Sequence, residues 1–512
     1  MINNIGQFLD INVWRYGEYK QLIYLAANTE KSFTNSEILD NARALATGLK
    51  TLGIKKGDIV ATVLSNVPEV PEIINATLRI GAVYLPVVFM LTPEEMSYVI
   101  DDSNCKIIIT EEKLLEKVTE AYSKAGKTVP IAVISKDTHK GIIDYRDLKE
   151  ICDERGNLVD TARDDLAFLI YVPGAGGYPK GVKLSHYNMY CQMKSCISLW
   201  EIDKGESVLT TMPLNTIYGI ISCIEGYIAG FVNILMPPFD PRLVLDAVRK
   251  FRVKVLPVVP TMLNFMLLVW DPVIDDLSSL DFLICSGAPL PLDILKKARE
   301  TFEIDITQAY GCTEAGGAIS MQRRDWPHND GSTGFPIPGI SVKIVDDNGL
   351  EVGRCTEGEI ICKGPMISSG YLNRSKETLC AFKDGWFYTG DIGRFDNDGE
   401  LYITGRKKDI IIKGGENIDP AVSENWLNQH PAVMECSVFG IDDDKYGEEI
   451  AAAVVLKPGY DITEESLQQF LKEHVHHYVS PKKIIFLQSL PKTSTGRVRK
   501  NELKKLIDYQ SK

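Results

Sequence analysis

LAFLIYVPGAGGYPKGVKL, residues 166–184, is the stretch on which the reading of this chain turns. Residues 166–171 are apolar and of strand length, and they run directly into Gly174, Gly176 and Gly177, with Lys180 behind them. Glycines let backbone N–H groups turn towards an anion without steric cost, and a lysine adds charge. The spacing is not that of a Walker A loop, and taken alone the stretch serves equally well as a plain glycine turn.

The same grammar repeats upstream. Residues 39–49 read as a helix ended by Gly53, 58–64 as a buried strand, 70–80 as a second helix, 82–88 and 106–110 as further strands. Strands alternating with helices imply parallel sheets covered by helices. Downstream the texture changes. From 341 to 404, short alternating runs at 342–345, 359–362 and 401–404 are punctuated by Asn-Gly and Asp-Gly, which predicts a strand-and-turn subdomain. A basic stretch follows Gly405, and the remainder mixes strands and helices. Its last helix, 498–509, is rich in lysine and reads as a solvated face.

Bulk properties bound the function. A chain of 512 residues is too long for one core, so at least two domains are expected. Hydrophobic residues are 45% and charged residues 24%, as in ordinary globular proteins, and the net charge of −13 argues against non-specific nucleic-acid binding. An acidic protein that binds anions must gather its cations locally. The 11 cysteines contain no CxxC pair and suit reduced thiols in the cytoplasm. The first residues show no signal peptide. The apolar tracts 220–239 and 255–270 are interrupted by Glu225, Asn233, Pro257 and Pro260, and read as buried strands and helices rather than membrane spans.

Four more motifs carry chemistry. QAYGCTE (308–314) supplies an aromatic to stack on a base, a hydroxyl, and Glu314 as an oxygen ligand for Mg²⁺. WFYTGD (386–391) ends in Asp391, read as an aspartate at a strand end able to accept ribose hydroxyls, with Arg406 after the next strand. GRKKDIIIKGGENIDP (405–420) and LPKTSTGR (490–497) are basic turns. Each is weak alone.

Their order is specific. The glycine loop, YGCTE, YTGD, GRKKD and PKTSTGR, with SGAPL (286–290) and GFPIPG (334–339) between them, resemble the acyl-CoA synthetase and luciferase superfamily of adenylate-forming enzymes over nearly the whole chain. The resemblance implies an α/β protein. Residues 1–406 would form a large multi-subdomain N-terminal domain, with two α/β sheets and a small β-rich subdomain. Residues 407–512 would form a small mobile α+β domain, hinged near Lys408. It implies two steps, acyl-adenylate formation from a carboxylate and ATP with Mg²⁺, then transfer of the acyl group to coenzyme A.

The resemblance also assigns residues. The loop from Val172 through Gly174, Gly176 and Gly177 to Lys180 would hold the phosphates. Gly287, Ala288, Gln308, Ala309, Tyr310 and Gly311 would line the adenine. Thr313 would lie near the phosphates, and Glu314 would hold Mg²⁺. Asp391 and Arg406 would bind ribose, Gly414 and Gly415 would line the route of the CoA thiol, and Arg497 stands where the family has its adenylation lysine. Asn215, Thr216, Tyr218, Gly287 and Gly311 would form the acyl pocket, the glycines leaving room for a chain or ring.

Two departures stand out. The family's phosphate loop is rich in hydroxyls, whereas Val172, Pro173, Ala175 and Gly176 have none, and Arg497 keeps the charge of the lysine in a bulkier planar fork. No lysine or arginine lies in the pocket segments, which argues against a dicarboxylate. An apolar medium- or long-chain fatty acid is favoured, an aromatic or alicyclic acid second. The alternatives are an ATP- or acyl-binding relative that has lost adenylation, and acyl transfer to a carrier protein. The partners expected are these small molecules, with no nucleic acid and no transmembrane segment; a homodimer is left open. His474, His476 and His477 read as a solvated patch rather than metal ligands.

Overall fold

The computed structural model describes residues 3–510 apart from 28, 127, 151–157, 174–177, 238, 325, 414–415, 419, 444, 476–478 and 493–497. Two large sheets carry most of the chain. The first has nine strands. Its centre runs Ile306–Cys312, Phe282–Cys285, Val255–Val258, Ser207–Thr210, Val232–Leu235 and Lys20–Ala26, each parallel to its neighbour. Antiparallel strands close both ends, Gly317–Met321 with Phe335–Pro336 at one and Thr29–Thr34 at the other. The second sheet has seven strands, parallel except for the final hairpin of Leu166–Val172 with Lys180–Ser185.

The layering follows from apolar pattern. Strands such as Val83–Pro86 and Phe282–Cys285 are buried along their whole length, which requires cover on both faces. The helices Asn35–Thr51, Val70–Arg79 and Ile217–Ile224 pack between the sheets, in one core shared by Leu22 and Leu235 of the first sheet with Val60, Ile107 and Phe168 of the second. Helices Pro241–Phe251, Pro260–Val269 and Leu292–Phe302 cover the far face of the first sheet, and Pro93–Ser103 and Leu115–Ala125 that of the second. Local chemistry sets the helix starts. Thr34 with Glu37, Thr92 with Glu95 and Ser185 with Asn188 each close a capping box, satisfying N–H groups that the first turn leaves unpaired.

The texture change at 341 marks a third sheet, Ser341–Val345, Gly358–Lys363, Trp386–Phe395, Phe382–Lys383 and Leu401–Arg406, antiparallel throughout. After Arg406 the chain turns over 407–409, with Lys408 exposed, and enters a fourth sheet. That sheet joins Ile411–Lys413, Glu416–Ile418, Val433–Asp443, Gly447–Leu456 and Lys483–Phe486, and helices Pro420–Gln429, Glu464–His474 and Lys500–Gln510 pack on it around separate apolar cores. This is the mixed α/β architecture expected.

Two local readings need correction. The strand carrying WFYTGD does not stop at Asp391 but continues to Phe395, so Asp391 sits mid-strand, beside a bulge at Ile392/Gly393. The alternation of residues 392–395 is too short to reveal that continuation. The final helix is solvated on its lysine side only, because Leu503 and Ile507 enter the core against Phe439 and Ile485. No helix among the described residues is long and apolar enough to cross a membrane.

Candidate active site

Parallel strands expose their carboxyl ends in one row, where ligands bind in open α/β sheets. The strand Phe282–Cys285 leads there into Gly287 and Ala288, both exposed. Gly287 has φ +84°, a left-handed conformation that glycine adopts without strain. The adjacent strand Ile306–Cys312 carries Gln308, Ala309, Tyr310 and Gly311, and a single 3₁₀ turn from Thr313 then presents Glu314.

Gly311 corrects the sequence reading. A Cβ there would lie 2.0 Å from the carbonyl oxygen of Gly317 and 2.7 Å from Cα of Ala318. The missing side chain admits the neighbouring strand, not an acyl chain. Gln308 is tied by its backbone to Gln322, whose Oε1 accepts from Gln308 N at 2.7 Å.

Asp391 is the most constrained acid of the site. It is 4% exposed. Its Oδ2 accepts the Tyr310 hydroxyl at 2.6 Å, and its Oδ1 meets Arg406 Nε at 2.7 Å. Cross-strand pairing of Asp391 with Arg406 sets the second contact, and the first links the β-rich sheet to the nine-stranded one. Burial, then the charge of Asp391, pushes the Tyr310 phenol well up, so it stays a neutral donor. Each carboxylate oxygen keeps a further lone pair able to accept another donor.

Glu314 and Lys180 meet through a residue that no motif singled out. The Tyr371 hydroxyl donates to Glu314 Oε1 at 2.9 Å, while Lys180 Nζ lies 4.2 Å from the centre of the same ring. Tyr371 is fixed by an isolated bridge to Val182, and Ser368 N donates to the Glu314 carbonyl oxygen at 2.8 Å. The hairpin that frames the glycine loop and the turn that bears Glu314 are thereby joined. Nothing in the spacing of GYLNR (370–374) announces this, since the contacts are made across the fold.

Of the residues expected in the acyl pocket, Thr216 caps the helix Ile217–Ile224, its Oγ1 accepting from Gly219 N at 3.2 Å and donating to the Pro213 carbonyl oxygen at 2.8 Å. Asn215 is buried, and Tyr218 points its hydroxyl at the carbonyl oxygen of Ile284, 3.5 Å away, beside Ser286. Gly174, Gly176, Gly177, Gly414, Gly415 and Arg497, with His476 and His477, lie outside the described residues. His474 is exposed and packs on Trp426 and Phe470. Among the described residues no group of three or more His, Cys, Asp or Glu gathers to hold a metal. One carboxylate, Glu314, suits Mg²⁺ that arrives with nucleotide phosphates and keeps most of its ligands from them and from water.

Comparison with known proteins identifies the family. The family model described as AMP-binding enzyme matches residues 10–372, and that described as AMP-binding enzyme C-terminal domain matches 423–497. The chain is 33% identical to a feruloyl-CoA synthase of Amycolatopsis sp., over 93% of this chain and 94% of that one. It is 31% identical to the long-chain-fatty-acid–CoA ligase FadD13 of Mycobacterium tuberculosis, over 94% of each. The fold superposes on ATP-bound MatB from Rhodopseudomonas palustris with a TM-score of 0.90 at 28% identity, covering 100% of both chains. With these matches spanning almost its full length, the chain belongs to the AMP-binding enzyme family, as an AMP-forming acyl-CoA ligase of the adenylate-forming superfamily.

Proposed function

We propose that this ligase activates a monocarboxylic acid with an apolar body, a fatty or an aromatic one, and transfers it to coenzyme A. The observation that carries the reading is the joining of Glu314 to Lys180 through Tyr371, beside Asp391 held between Tyr310 and Arg406. In the first step a carboxylate oxygen of the acid attacks the α-phosphorus of ATP, and pyrophosphate leaves. An anion is approaching a polyanion, so the barrier is mainly electrostatic. Lys180 and Arg497 bring positive charge, and the loop from Val172 offers backbone N–H groups in place of hydroxyls. Glu314 would hold the Mg²⁺, which supplies further charge to the phosphates. Asp391 and Arg406 orient the ribose, and Tyr310 backs the adenine. In the second step the CoA sulfur attacks the acyl carbon and AMP leaves with the bonding electrons.

The domain boundary belongs to the same proposal. Residues 1–406 and 407–512 act as two bodies hinged near Lys408, so that Arg497 serves the first step and Gly414 and Gly415 the second. ATP and CoA are cytoplasmic co-substrates, which favours that compartment. The relatives' names include an aromatic acid and long-chain fatty acids, and both stay within the proposed class.

The test is pyrophosphate release over an acid library, with and without CoA. Acid-dependent pyrophosphate, with thioester and AMP appearing only when CoA is added, is the expected result. ATP binding by calorimetry with no acid turned over would leave a nucleotide-binding protein instead.

A further inference from the structure

The helix Pro93–Ser103 buries Met96, Val99 and Ile100 against the second sheet, but a neighbouring face turns to other parts of the chain. Glu95, Tyr98 and Asp102 are spaced i, i+3 and i+7, which sets them in one row. Each reaches a different segment. The Tyr171 hydroxyl donates to Asp102 Oδ2 at 2.7 Å, and Asn373 Nδ2 donates to the Asp102 carbonyl oxygen at 3.0 Å. The Tyr98 ring packs on that of Tyr178 with centroids 4.7 Å apart, and its hydroxyl accepts from Arg374. Tyr171 precedes the four residues 174–177 and Tyr178 follows them, so both flanks of the glycine loop rest on this one helix.

Glu95 carries the row on to the C-terminal body. Its Oε2 accepts from Thr92 N at 2.9 Å within the capping box, which fixes the side chain, and its Oε1 lies 3.7 Å from Arg499 Nη1. Arg499 belongs to a braced neck. Its N–H donates to the Pro491 carbonyl oxygen at 2.8 Å, and Lys492 bridges to Val498, so the two ends of the segment 491–499 are pinned together. Lys492 pairs with Glu435 and Lys500 with Glu424, the latter at 3.2 Å, which fastens the neck to the fourth sheet and to the helix Pro420–Gln429. Arg499 Nη1 also meets Glu502, at 2.9 Å, and the Arg499 and Glu95 side chains are 33% and 26% exposed. A shared, partly exposed pair is of modest strength, so it favours one arrangement of the two bodies without barring another.

We propose that this face of the helix Pro93–Ser103 is the strut on which the C-terminal body docks for acyl-adenylate formation, with Glu95 a positioning residue that acts through Arg499. The inference rests on the ligase reading above, in which Arg497 serves the first step. Arg497 stands two residues before Arg499, on the segment whose ends the neck pins. Docking at Glu95 therefore brings that segment to the same helix face that supports the flanks of the glycine loop. The second step needs the neck to leave, so the pair takes no part in it.

The experiment is single-turnover kinetics of each half-reaction in the full chain. The first half uses ATP and the acid that the native enzyme turns over fastest in the library above; the second uses the synthetic adenylate of that acid with CoA. Glu95→Gln keeps a side chain that serves the capping box and removes the charge. It should slow pyrophosphate release by about two- to fivefold, the scale of one partly exposed ion pair. Thioester formation from the supplied adenylate should be unchanged or faster, at an unchanged Tm. Arg499→Gln should do the same, and the double variant should be no slower than either single one, the non-additivity expected of a single contact. With the native enzyme active, three results each overturn the inference: equal slowing of both halves, additive losses in the double variant, or pyrophosphate release unmoved in both single variants. A native enzyme that releases no pyrophosphate with any acid would sink the ligase reading, and this inference with it.

Discussion

Tyr371 and His186 show what single residues contribute away from the reacting groups. Tyr371 keeps its proton because burial, and then the charge of Glu314, raises its phenol far above the usual range. It therefore donates to Glu314 and offers its ring face to Lys180, holding an anion and a cation at one site without letting them neutralise each other. His186 is structural. It is 1% exposed, and its Nδ1 accepts from the backbone N–H of Ile5 at 3.3 Å, tying the first helical turn to the second sheet. Desolvation pulls its pKa from 6.5 down to about 4, with Asp165 opposing and Lys56 assisting. In the unfolded chain it takes a proton near 6.5, whereas the folded state refuses it until about 4. Stability is therefore complete above pH 6.5 and falls as the pH drops towards 4, by about 3 kcal/mol at most. His186→Asn keeps an acceptor and removes the proton. Unfolding free energies between pH 6.5 and 4.5 should decline less steeply in that variant, and parallel declines would contradict the assignment.

At the scale of elements, the hairpin of Ile306–Cys312 with Gly317–Met321 sets the geometry of the proposed nucleotide side. Its register shifts between Tyr310 and Gly311, which turns Tyr310 towards Asp391 and packs Gly311 against the facing backbone. Gly311→Ala would drive a methyl group into the carbonyl of Gly317, and both strands would have to part. The expected cost is about 2–4 kcal/mol, the range of a severe backbone clash, read as a lowered Tm together with loss of ATP binding. If Gly311→Ala kept its Tm and merely changed the acids accepted, the residue would belong to the acyl pocket after all. The same comparison separates Gly311 from Gly287, whose Cβ would meet Val259 Cγ1 alone among the described residues, at 3.3 Å, and whose positive φ is the stronger demand.

At the scale of the molecule, the fourth sheet shares no strand with the others among the described residues, and it has its own apolar cores, with Val438, Ile450 and Leu467 in one and Phe439, Ala453 and Leu503 in another. Arg499 lies 3.7 Å from Glu95 on the helix Pro93–Ser103, a polar contact of the kind that can be released and remade. Truncation after Lys408 should then leave a folded fragment with a cooperative thermal transition, which binds an acyl-adenylate in calorimetry but forms no thioester. An insoluble fragment, or one that still makes thioester, would refute the two-body reading.

The sequence by itself determined the class of fold, the order of the motifs and the family, because those depend on local properties: strand-length apolar runs, capping residues, turn dipeptides and a fixed series of short signatures. Helix 70–80 and strand 106–110 were legible within a residue or so because period and burial agree there. Only the tertiary structure decided what each polar group faces. Asp391 looked like the end of a strand and lies in the middle of one, since the strand is prolonged by pairing with Leu401–Arg406 rather than by its own alternation. Gly311 looked like space for a substrate and is space for a neighbouring strand. Tyr371 carried no signature, because a hydrogen bond made between residues far apart in the chain is a property of packing. Backbone propensity is written residue by residue, but desolvation and pairing exist only once distant segments have met.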